Sequence, residues 1–193
     1  MAPVNGDSDT PQCERAPMAP GSIEELKLKI RDIPDFPRQG IVFKDITPLL
    51  NDPRTFKQAI DAMAHPFIGR HIDRVVSIEA RGFIVGAALA YILNAGLIPL
   101  RKPGKLPFLT HRMAYTLEYG SAELEIHRDA VKPGQRVIIV DDLLATGGTM
   151  RAAIDLVKTL EADIVGVSFL VELSFLQGRQ QLQGHEICSL ITY

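Results

Sequence analysis

The chain has 193 residues, of which 46% are hydrophobic and 23% are charged, and this size and balance predict one compact domain, or one domain with a small appendage. The formal net charge of -2 gives no basic excess, so we expect no binding of nucleic acid through unspecific phosphate contacts. The longest apolar run, residues 83–93, is shorter than the roughly 20 residues that span a bilayer, so we expect no membrane insertion.

Residues 1–21 carry four prolines among small and polar residues, which predicts a flexible arm ahead of a domain at 22–193. No basic stretch followed by an apolar core, the pattern of a secretory signal, opens this segment. Cys13 and Cys188 do not make a disulfide framework. We therefore expect a cytoplasmic, reducing compartment.

The first predicted helix follows the arm. Ser22 and Glu25 have the spacing of a capping box and predict a helix from Ser22 to about residue 31. Residues 34–50 then combine three prolines and a glycine with apolar side chains that favour burial. This composition predicts an ordered loop.

Strands and helices alternate through most of the remaining chain. The predicted strands are 74–78, 97–101, 137–140 and 164–171, and the predicted helices are about 53–65, 83–96 and 149–162. Short apolar strands separated by helices of this length imply right-handed crossovers. The predicted fold is α/β, with a central and mostly parallel sheet flanked by helices.

Residues 114–126 depart from this pattern. Apolar and polar residues alternate up to Tyr119 and again from Leu124, and Gly120 with Ser121 can form a turn between them. The segment predicts a β-hairpin or a flap.

The stretch VIIVDDLLATGGTM, residues 137–150, joins a predicted strand to a predicted helix. In an open parallel sheet, ligands bind beyond the carboxyl ends of the strands. Gly147 and Gly148 permit positive φ and close approach of the backbone, and the N–H groups at the start of the helix attract an anion. Residues 145–149 therefore predict a binding loop for one phosphate.

Asp141 and Asp142 stand directly before this loop and would repel a phosphate. Their expected partners are ligand hydroxyls, which donate strongly to carboxylates, or a cation. A sugar with two free hydroxyls and a terminal phosphate fits both features, whereas an aspartate that merely caps a turn is the alternative. Neither GxxxxGK[ST] nor GxGxxG occurs in the sequence, so the usual nucleoside triphosphate and dinucleotide signatures are absent.

Basic residues follow two other predicted strands. Arg81 leads into a helix, where its guanidinium can bind phosphate oxygens, and an exposed pair with Glu79 is the alternative. The segment RKPGKLP adds Arg101, Lys102 and Lys105, for which a solvated basic loop is the alternative. Two anion sites beside a hydroxyl-binding pair predict a sugar ligand with phosphate at both ends.

VIIVDDLLATGGTM resembles the phosphoribosyl pyrophosphate motif of the type I phosphoribosyltransferases. The resemblance implies that Asp141 and Asp142 hold the ribose hydroxyls. It implies a site for the 5′-phosphate made by Ala145, Thr146, Gly147, Gly148 and Thr149. It also implies that pyrophosphate is bound by Arg81, Arg101 and Lys105, with Lys102 as a weaker contributor.

Three further segments, FPRQGIVFKDITPLL, IEARGF with RKPGKLP, and YTLEYGSAELEI, extend the resemblance to the members of this family that act on adenine. It covers about residues 23–193. It implies a small hood at about 34–50, in which main-chain groups of Val42 and Lys44 bind adenine and Phe43 lies between them. A pattern of main-chain donors and acceptors can separate adenine from 6-oxo purines, because misplaced partners leave buried polar groups unpaired.

The resemblance also implies a β-hairpin flap at about 102–127, with Glu118 as a candidate proton-transfer group and Tyr119 as a closing residue. The implied reaction joins adenine and phosphoribosyl pyrophosphate to give AMP and pyrophosphate, a step of purine salvage. Mg²⁺ is the implied cofactor, held through ligand oxygens and water without dedicated protein ligands.

A homodimer is implied as well, because the basic loop tends to act across an interface in related enzymes. Two alternatives remain open. One is a transferase of the same fold for another base: hypoxanthine, guanine, xanthine or orotate. The other is a regulator that senses phosphoribosyl pyrophosphate without catalysis.

Overall fold

The computed structural model describes residues 22–117 and 120–193. The predicted arm at 1–21 and the predicted flap residues Glu118 and Tyr119 lie outside the described residues. Within the described ranges, no helix has the length and apolar character needed to cross a membrane.

Three helices and a two-stranded ribbon form the amino-terminal part. In chain order they are α1 (Ser22–Leu28), β1 (Arg31–Pro34), β2 (Val42–Asp45), α2 (Thr47–Asn51) and α3 (Pro53–Ala64). The predicted start of α3 is confirmed, because the Asp52 carboxylate accepts hydrogen bonds from the N–H groups of Arg54 at 3.0 Å and Thr55 at 3.2 Å. The predicted end of α1 was too late, since the helix stops at Leu28.

The segment predicted as an ordered loop at 34–50 contains more regular structure than expected. β1 and β2 pair antiparallel, with Ile33 opposite Phe43 and Pro34 opposite Val42. Proline lacks the N–H that a strand ladder uses, so its presence argued against a strand. A two-stranded ribbon with open edges tolerates it.

The rest of the chain supplies the main sheet, a two-stranded hairpin and two further helices. Its elements are β3 (Arg74–Ile78), α4 (Gly82–Ile92), β4 (Gly96–Leu100), β5 (Thr110–Leu117), β6 (Gly120–His127), β7 (Arg136–Leu144), α5 (Gly148–Lys158), β8 (Asp163–Glu172) and β9 (Ile187–Thr192). Five strands pair in parallel in the order β4-β3-β7-β8-β9. The predicted α/β class is confirmed, whereas β9 was missed.

The parallel sheet separates two apolar clusters. Successive residues of a strand point to opposite faces, so Val75 and Ile138 pack with α1, α3 and α4, while Val76 and Ile139 pack with α5. Burial on both faces explains the continuous apolar runs from which the central strands were predicted.

β5 and β6 form the predicted hairpin. Their pairing runs from Thr110 opposite His127 to Leu117 opposite Gly120. Gly120 and Ser121 are therefore strand residues, and the prediction that they form the turn was wrong. Strand β5 ends at Leu117 and strand β6 begins already at Gly120. Glycine fits a strand position even though it does not favour one.

Candidate functional site

The winding of the sheet reverses between β3 and β7. From β3 the chain crosses to β4 on one side, and from β7 it crosses to β8 on the other. In open α/β sheets this switch point forms the crevice in which ligands bind. The segments after the two strands meet closely there, since a Cβ added to Gly82 would lie only 2.8 Å from Asp141 Oδ1.

Asp141 and Asp142 lie in the part of β7 that extends beyond β3. Pairing with β3 ends at Val140, whereas pairing with β8 continues to Leu144. The predicted strand 137–140 was thus too short, because β7 continues through Asp141 and Asp142, where the continuous apolar run of the sequence stops. Asp142 is 5% exposed, and its N–H donates to Asp141 Oδ1 at 2.9 Å.

Burial disfavours the charge on both carboxylates. It raises the pKa of Asp141 well above its ordinary value, and the neighbouring charge of Asp142 adds to this effect. Burial also raises the pKa of Asp142, against the opposing charge of Arg81, whose Nε lies 2.9 Å from Asp142 Oδ2. Despite this ion pair, Asp142 Oδ2 accepts no hydrogen bond from the described residues. The pair is therefore suited to a ligand that donates hydroxyl hydrogens or brings a cation.

The predicted phosphate loop connects β7 to α5. Gly147 has φ 89°, in the left-handed region that favours glycine. α5 begins at the next residue, and no side chain in the described part of the protein caps its amino terminus. Unpaired N–H groups and the helix dipole make such a terminus attractive to an anion. The structure brings five of the predicted site residues into this one turn, namely Ala145, Thr146, Gly147, Gly148 and Thr149.

A segment that sequence reasoning missed packs behind this loop. It is the 3-10 helix Gly178–Leu182, whose first residue touches the loop so closely that an added Cβ would lie 2.2 Å from the carbonyl oxygen of Ala145. Arg179 donates to both carboxylate oxygens of Glu172, at 2.7 and 2.8 Å, which ties the 3-10 helix to the end of β8. The contact between Gly178 and Ala145 joins residues more than thirty positions apart, so no local pattern could reveal it.

Arg81 lies between the predicted ribose and base sites. Its guanidinium carbon is 4.7 Å from the centroid of the Phe43 ring. The Phe36 ring packs edge-on against Phe43, with the two ring centroids 5.1 Å apart. The structure thus brings together the acidic pair, Arg81 and the aromatic residue of the hood. In this arrangement the ion pair of Arg81 is with Asp142 and not with Glu79.

The other two residues predicted to contact adenine, Val42 and Lys44, also lie on β2. Lys44 Nζ lies 2.7 Å from Asp32 Oδ1 and 3.8 Å from the centroid of the Tyr193 ring, so its side chain is engaged within the protein. Val42 is 49% exposed. Its carbonyl receives no hydrogen bond from the residue opposite, because Pro34 has no N–H.

The predicted basic loop begins at the end of β4, next to β3. Arg101 Nε donates to Glu79 Oε2 at 2.7 Å, and Arg101 Nη1 donates to the carbonyl oxygen of Lys105 at 3.2 Å. Lys102 and Lys105 are exposed. The cations of this loop therefore follow the strand beside the one that leads to Arg81, at the same edge of the sheet.

A cavity of about 470 Å³ separates the hairpin from the phosphate loop. Its walls come from β5, from the loop and α5, and from the 3-10 helix: Met113, Ala114, Tyr115, Thr146, Gly148, Arg151, Ala152, Asp155 and Gln181. The hairpin thus faces the same helix terminus that the acidic pair precedes.

The acidic pair is the feature of this site that bears on metal binding. Over residues 22–117 and 120–193, no group of three or more histidine, cysteine, aspartate or glutamate side chains is placed to hold a metal ion. Asp141 and Asp142 offer hard carboxylate oxygens of the kind that Mg²⁺ prefers. They fit a Mg²⁺ that is coordinated largely by oxygens of a bound ligand and by water.

Comparison with known proteins decides between families. Residues 49–182 match the phosphoribosyl transferase domain. An adenine phosphoribosyltransferase of Pelobacter propionicus is 57% identical over 171 residues, which cover 89% of this chain and 99% of that protein. The chain belongs to the adenine phosphoribosyltransferase family.

Solved structures of adenine phosphoribosyltransferases share the fold. The crystal structure from Thermoanaerobacter pseudethanolicus has a TM-score of 0.86 at 54% identity, covering 89% of this chain and 99% of that one. The structure from Saccharomyces cerevisiae, in complex with adenine and an imino-altritol bisphosphate, has a TM-score of 0.84 at 41% identity, with coverage of 89% and 99%. The expectation of a type I phosphoribosyltransferase fold is confirmed, and the family makes this chain a pentosyltransferase.

Proposed function

We propose that this chain transfers the phosphoribosyl group of phosphoribosyl pyrophosphate to adenine and releases AMP and pyrophosphate. The observation that carries the proposal is the acidic pair at the switch point of the sheet, in which Asp142 is buried and Asp141 is partly buried. The pair comes directly before a helix terminus that no described side chain caps. This is the chemistry that a phosphorylated sugar with free hydroxyls requires. Membership of the adenine phosphoribosyltransferase family supports the choice of substrates.

In this proposal the pocket holds the sugar at both ends. The ribose hydroxyls donate to the carboxylates of Asp141 and Asp142. The 5′-phosphate accepts hydrogen bonds from the turn formed by Ala145, Thr146, Gly147, Gly148 and Thr149. The pyrophosphate is neutralised by Arg81, Arg101 and Lys105, and more weakly by Lys102.

Arg81 has one role before the substrate binds and another role afterwards. In the described structure it balances the charge of Asp142, with Nε 2.9 Å from Oδ2. When a ribose hydroxyl takes this oxygen, the guanidinium is released toward the pyrophosphate, since it lies at the end of β3 beside the basic loop. The same ion pair thus stabilises the acidic site before substrate binds and supplies a cation afterwards.

Adenine binds under the hood. The exocyclic amine donates to a main-chain carbonyl of β2, and ring nitrogens accept from a main-chain N–H, with Val42 and Lys44 as the residues concerned. The side chain of Lys44 is engaged with Asp32, which supports a backbone contact for this residue. Phe43 lies between these two residues and packs beside Arg81.

The reaction forms a bond between adenine N9 and ribose C1′ and breaks the bond between C1′ and pyrophosphate, which leaves with the electron pair. Positive charge develops on the ribose ring as this bond breaks, so catalysis rests on positioning the two reactants and stabilising the leaving group. Mg²⁺, when bound, would neutralise charge on the pyrophosphate and the ribose oxygens. The proton of N9 must leave as the new bond forms, and Glu118 is the proposed acceptor.

The test is AMP formation from adenine and phosphoribosyl pyrophosphate with Mg²⁺, run in competition with hypoxanthine, guanine, xanthine and orotate. We expect only adenine to be consumed. Asp142→Asn should lower turnover on the order of 100-fold, the usual effect of losing a charged group at a reacting centre, whereas Asp129→Asn, at an exposed turn, should not. Preferential use of another base, or binding of phosphoribosyl pyrophosphate without any transfer, would refute the proposal.

We also infer a homodimer and a cytoplasmic location. The exposed side of α4 carries Ile84 at 44% and Tyr91 at 88% exposure, and Leu97 on the adjacent edge strand is 43% exposed. Several exposed apolar side chains on one helix and the neighbouring edge strand are typical of an interface between subunits. A location in the cytoplasm follows from the substrate, because a sugar with three phosphate groups does not cross a membrane unaided.

A further inference from the structure

Glu125 is a buried carboxylate at the inner side of the basic loop. It lies on β6 and is 1% exposed. Its apolar neighbours are buried as well, Leu124 at 2% and Ile126 at 0% exposure. Successive residues of a strand face opposite sides, so burial of three in a row means that the hairpin is covered on both faces. The side on which Glu125 lies is covered by residues 104–106.

One carboxylate oxygen of Glu125 holds the end of the loop. Its Oε1 accepts hydrogen bonds from the main-chain N–H groups of Lys105 and Leu106, both at 3.0 Å. Its Oε2 accepts from Thr110 Oγ1 at 3.3 Å and lies 3.3 Å from Arg112 Nε. These contacts use the acceptor capacity of the carboxylate within the protein.

The backbone of the same residue holds the start of the loop. The N–H of Arg101 donates to the carbonyl oxygen of Glu125 at 3.1 Å, and the N–H of Glu125 donates to the carbonyl oxygen of Arg101 at 2.7 Å. Residues 101–106 are therefore anchored at both ends by a single residue of the hairpin.

Glu125 acts in its ionised form. Burial raises the pKa of this carboxyl, but the hydrogen bonds from loop N–H groups and the charge of Arg112 more than offset that effect, and the pKa lies below its ordinary value. A buried anion of this kind strengthens the N–H contacts that fix the loop.

We propose that Glu125 is a positioning residue that holds loop 101–106 in the conformation that binds the pyrophosphate group. This inference rests on the proposed function, in which Arg101 and Lys105 contact pyrophosphate. Without the anchor, the exposed loop would have to be ordered at the moment of binding, and affinity for the pyrophosphate group would fall.

The reverse reaction separates this role from general damage to the fold, because AMP and pyrophosphate enter it as separate substrates. For Glu125→Ala we expect KM for pyrophosphate to rise about 10-fold or more, the scale of effect when a binding group is misplaced. KM for AMP should change less than about 2-fold, since AMP does not reach the basic loop. Glu125→Gln keeps one oxygen for the two N–H groups and should restore most of the affinity.

Glu123→Ala is the matched control, because Glu123 lies two positions earlier on β6 and is exposed. Both of its KM values should equal those of the wild type. If Glu125→Ala does not fold, Glu125→Asp keeps the charge but shortens the reach by one methylene, and the same selective rise is expected.

Unchanged KM for pyrophosphate in the folded variant, or equal increases for AMP and pyrophosphate, would overturn the role of Glu125. A wild-type chain that cannot convert AMP and pyrophosphate would instead refute the proposed function. Hydrogen exchange of residues 101–106 would then still report whether Glu125 anchors the loop, since its loss should speed exchange of Lys105 and Leu106 N–H.

Discussion

Asp141 and Asp142 are held in a site that opposes their charge. Because the pKa of Asp141 is raised by burial and by Asp142, the folded protein binds a proton at pH values where the unfolded chain has released it. The stabilising contribution of this proton is fully present below the ordinary pKa of 3.8 and is lost as pH rises through the raised folded-state value. The acidic pair therefore lowers the free energy of unfolding at neutral pH.

Asp141→Asn should reveal this cost. Since asparagine does not titrate, the difference in Tm between variant and wild type should become more positive as pH rises from about 4 to 7. The transferase activity of the variant should be lower than that of the wild type. Thermal unfolding across this pH range measures it, and Asp129→Asn at an exposed turn reports the effect of removing a surface charge. A difference in Tm that grows more negative toward neutral pH would show that the site stabilises the ionised pair.

Glu118 provides a second test on a single side chain. Its proposed role is to accept the proton of adenine N9, so Glu118→Gln should lower turnover on the order of 100-fold or more, a usual share for general acid–base catalysis. KM for phosphoribosyl pyrophosphate should stay close to that of the wild type. Near-normal turnover would remove Glu118 from the mechanism.

The phosphate loop and the 3-10 helix behind it form one packed unit. A methyl group on Gly178 would lie 2.2 Å from the carbonyl oxygen of Ala145 and 2.9 Å from Leu144 Cδ1, so Gly178→Ala must push the loop from its position. We expect KM for phosphoribosyl pyrophosphate and for AMP to rise about 10-fold, with KM for adenine little changed.

Gly69→Ala is the control for this experiment. Gly69 has φ 79° and open space around it, so alanine there strains the backbone without contacting the site. It should lower Tm and leave all KM values unchanged. A Gly178→Ala variant with the substrate affinities of the wild type would show that the 3-10 helix does not position the loop.

Elements with a strong local signal were predictable from the sequence. The start of α3 follows from a capping aspartate before a proline, and β3 follows from an apolar run buried on both faces. The phosphate loop was predictable for the same reason, because its glycines and the following helix are adjacent in the chain.

Features that depend on distant contacts were not predictable in this way. The extension of β7 past Asp141 depends on β8, and the burial of Glu125 depends on a loop that folds back over β6. The β1–β2 ribbon was not predicted, because proline argues against a strand. In the first two cases the partner that decides the structure lies elsewhere in the chain, beyond the reach of periodicity or turn signals.

The described part of the molecule exposes apolar side chains at one edge of the sheet. Ile84, Tyr91 and Leu97 lie on or beside α4 at one edge of the sheet. If this face joins two subunits, Ile84→Glu should convert a dimer into a monomer, because a charge would be buried without a partner. Sedimentation velocity measures the change.

Leu28→Glu is the matched control for this surface, since Leu28 is 86% exposed on α1, outside the proposed interface. It should sediment as the wild type does. A wild-type chain that is monomeric at micromolar concentration, or a dimer that tolerates Ile84→Glu, would rule out α4 as the interface.

A crystal structure of the protein with bound AMP tests the assignment of the active site most directly. We expect the ribose hydroxyls within hydrogen-bonding distance of the Asp141 and Asp142 carboxylates, and the phosphate on the N–H groups of residues 145–149. AMP bound elsewhere, with the acidic pair still closed by Arg81 and the helix terminus empty, would refute the assignment of this crevice as the active site.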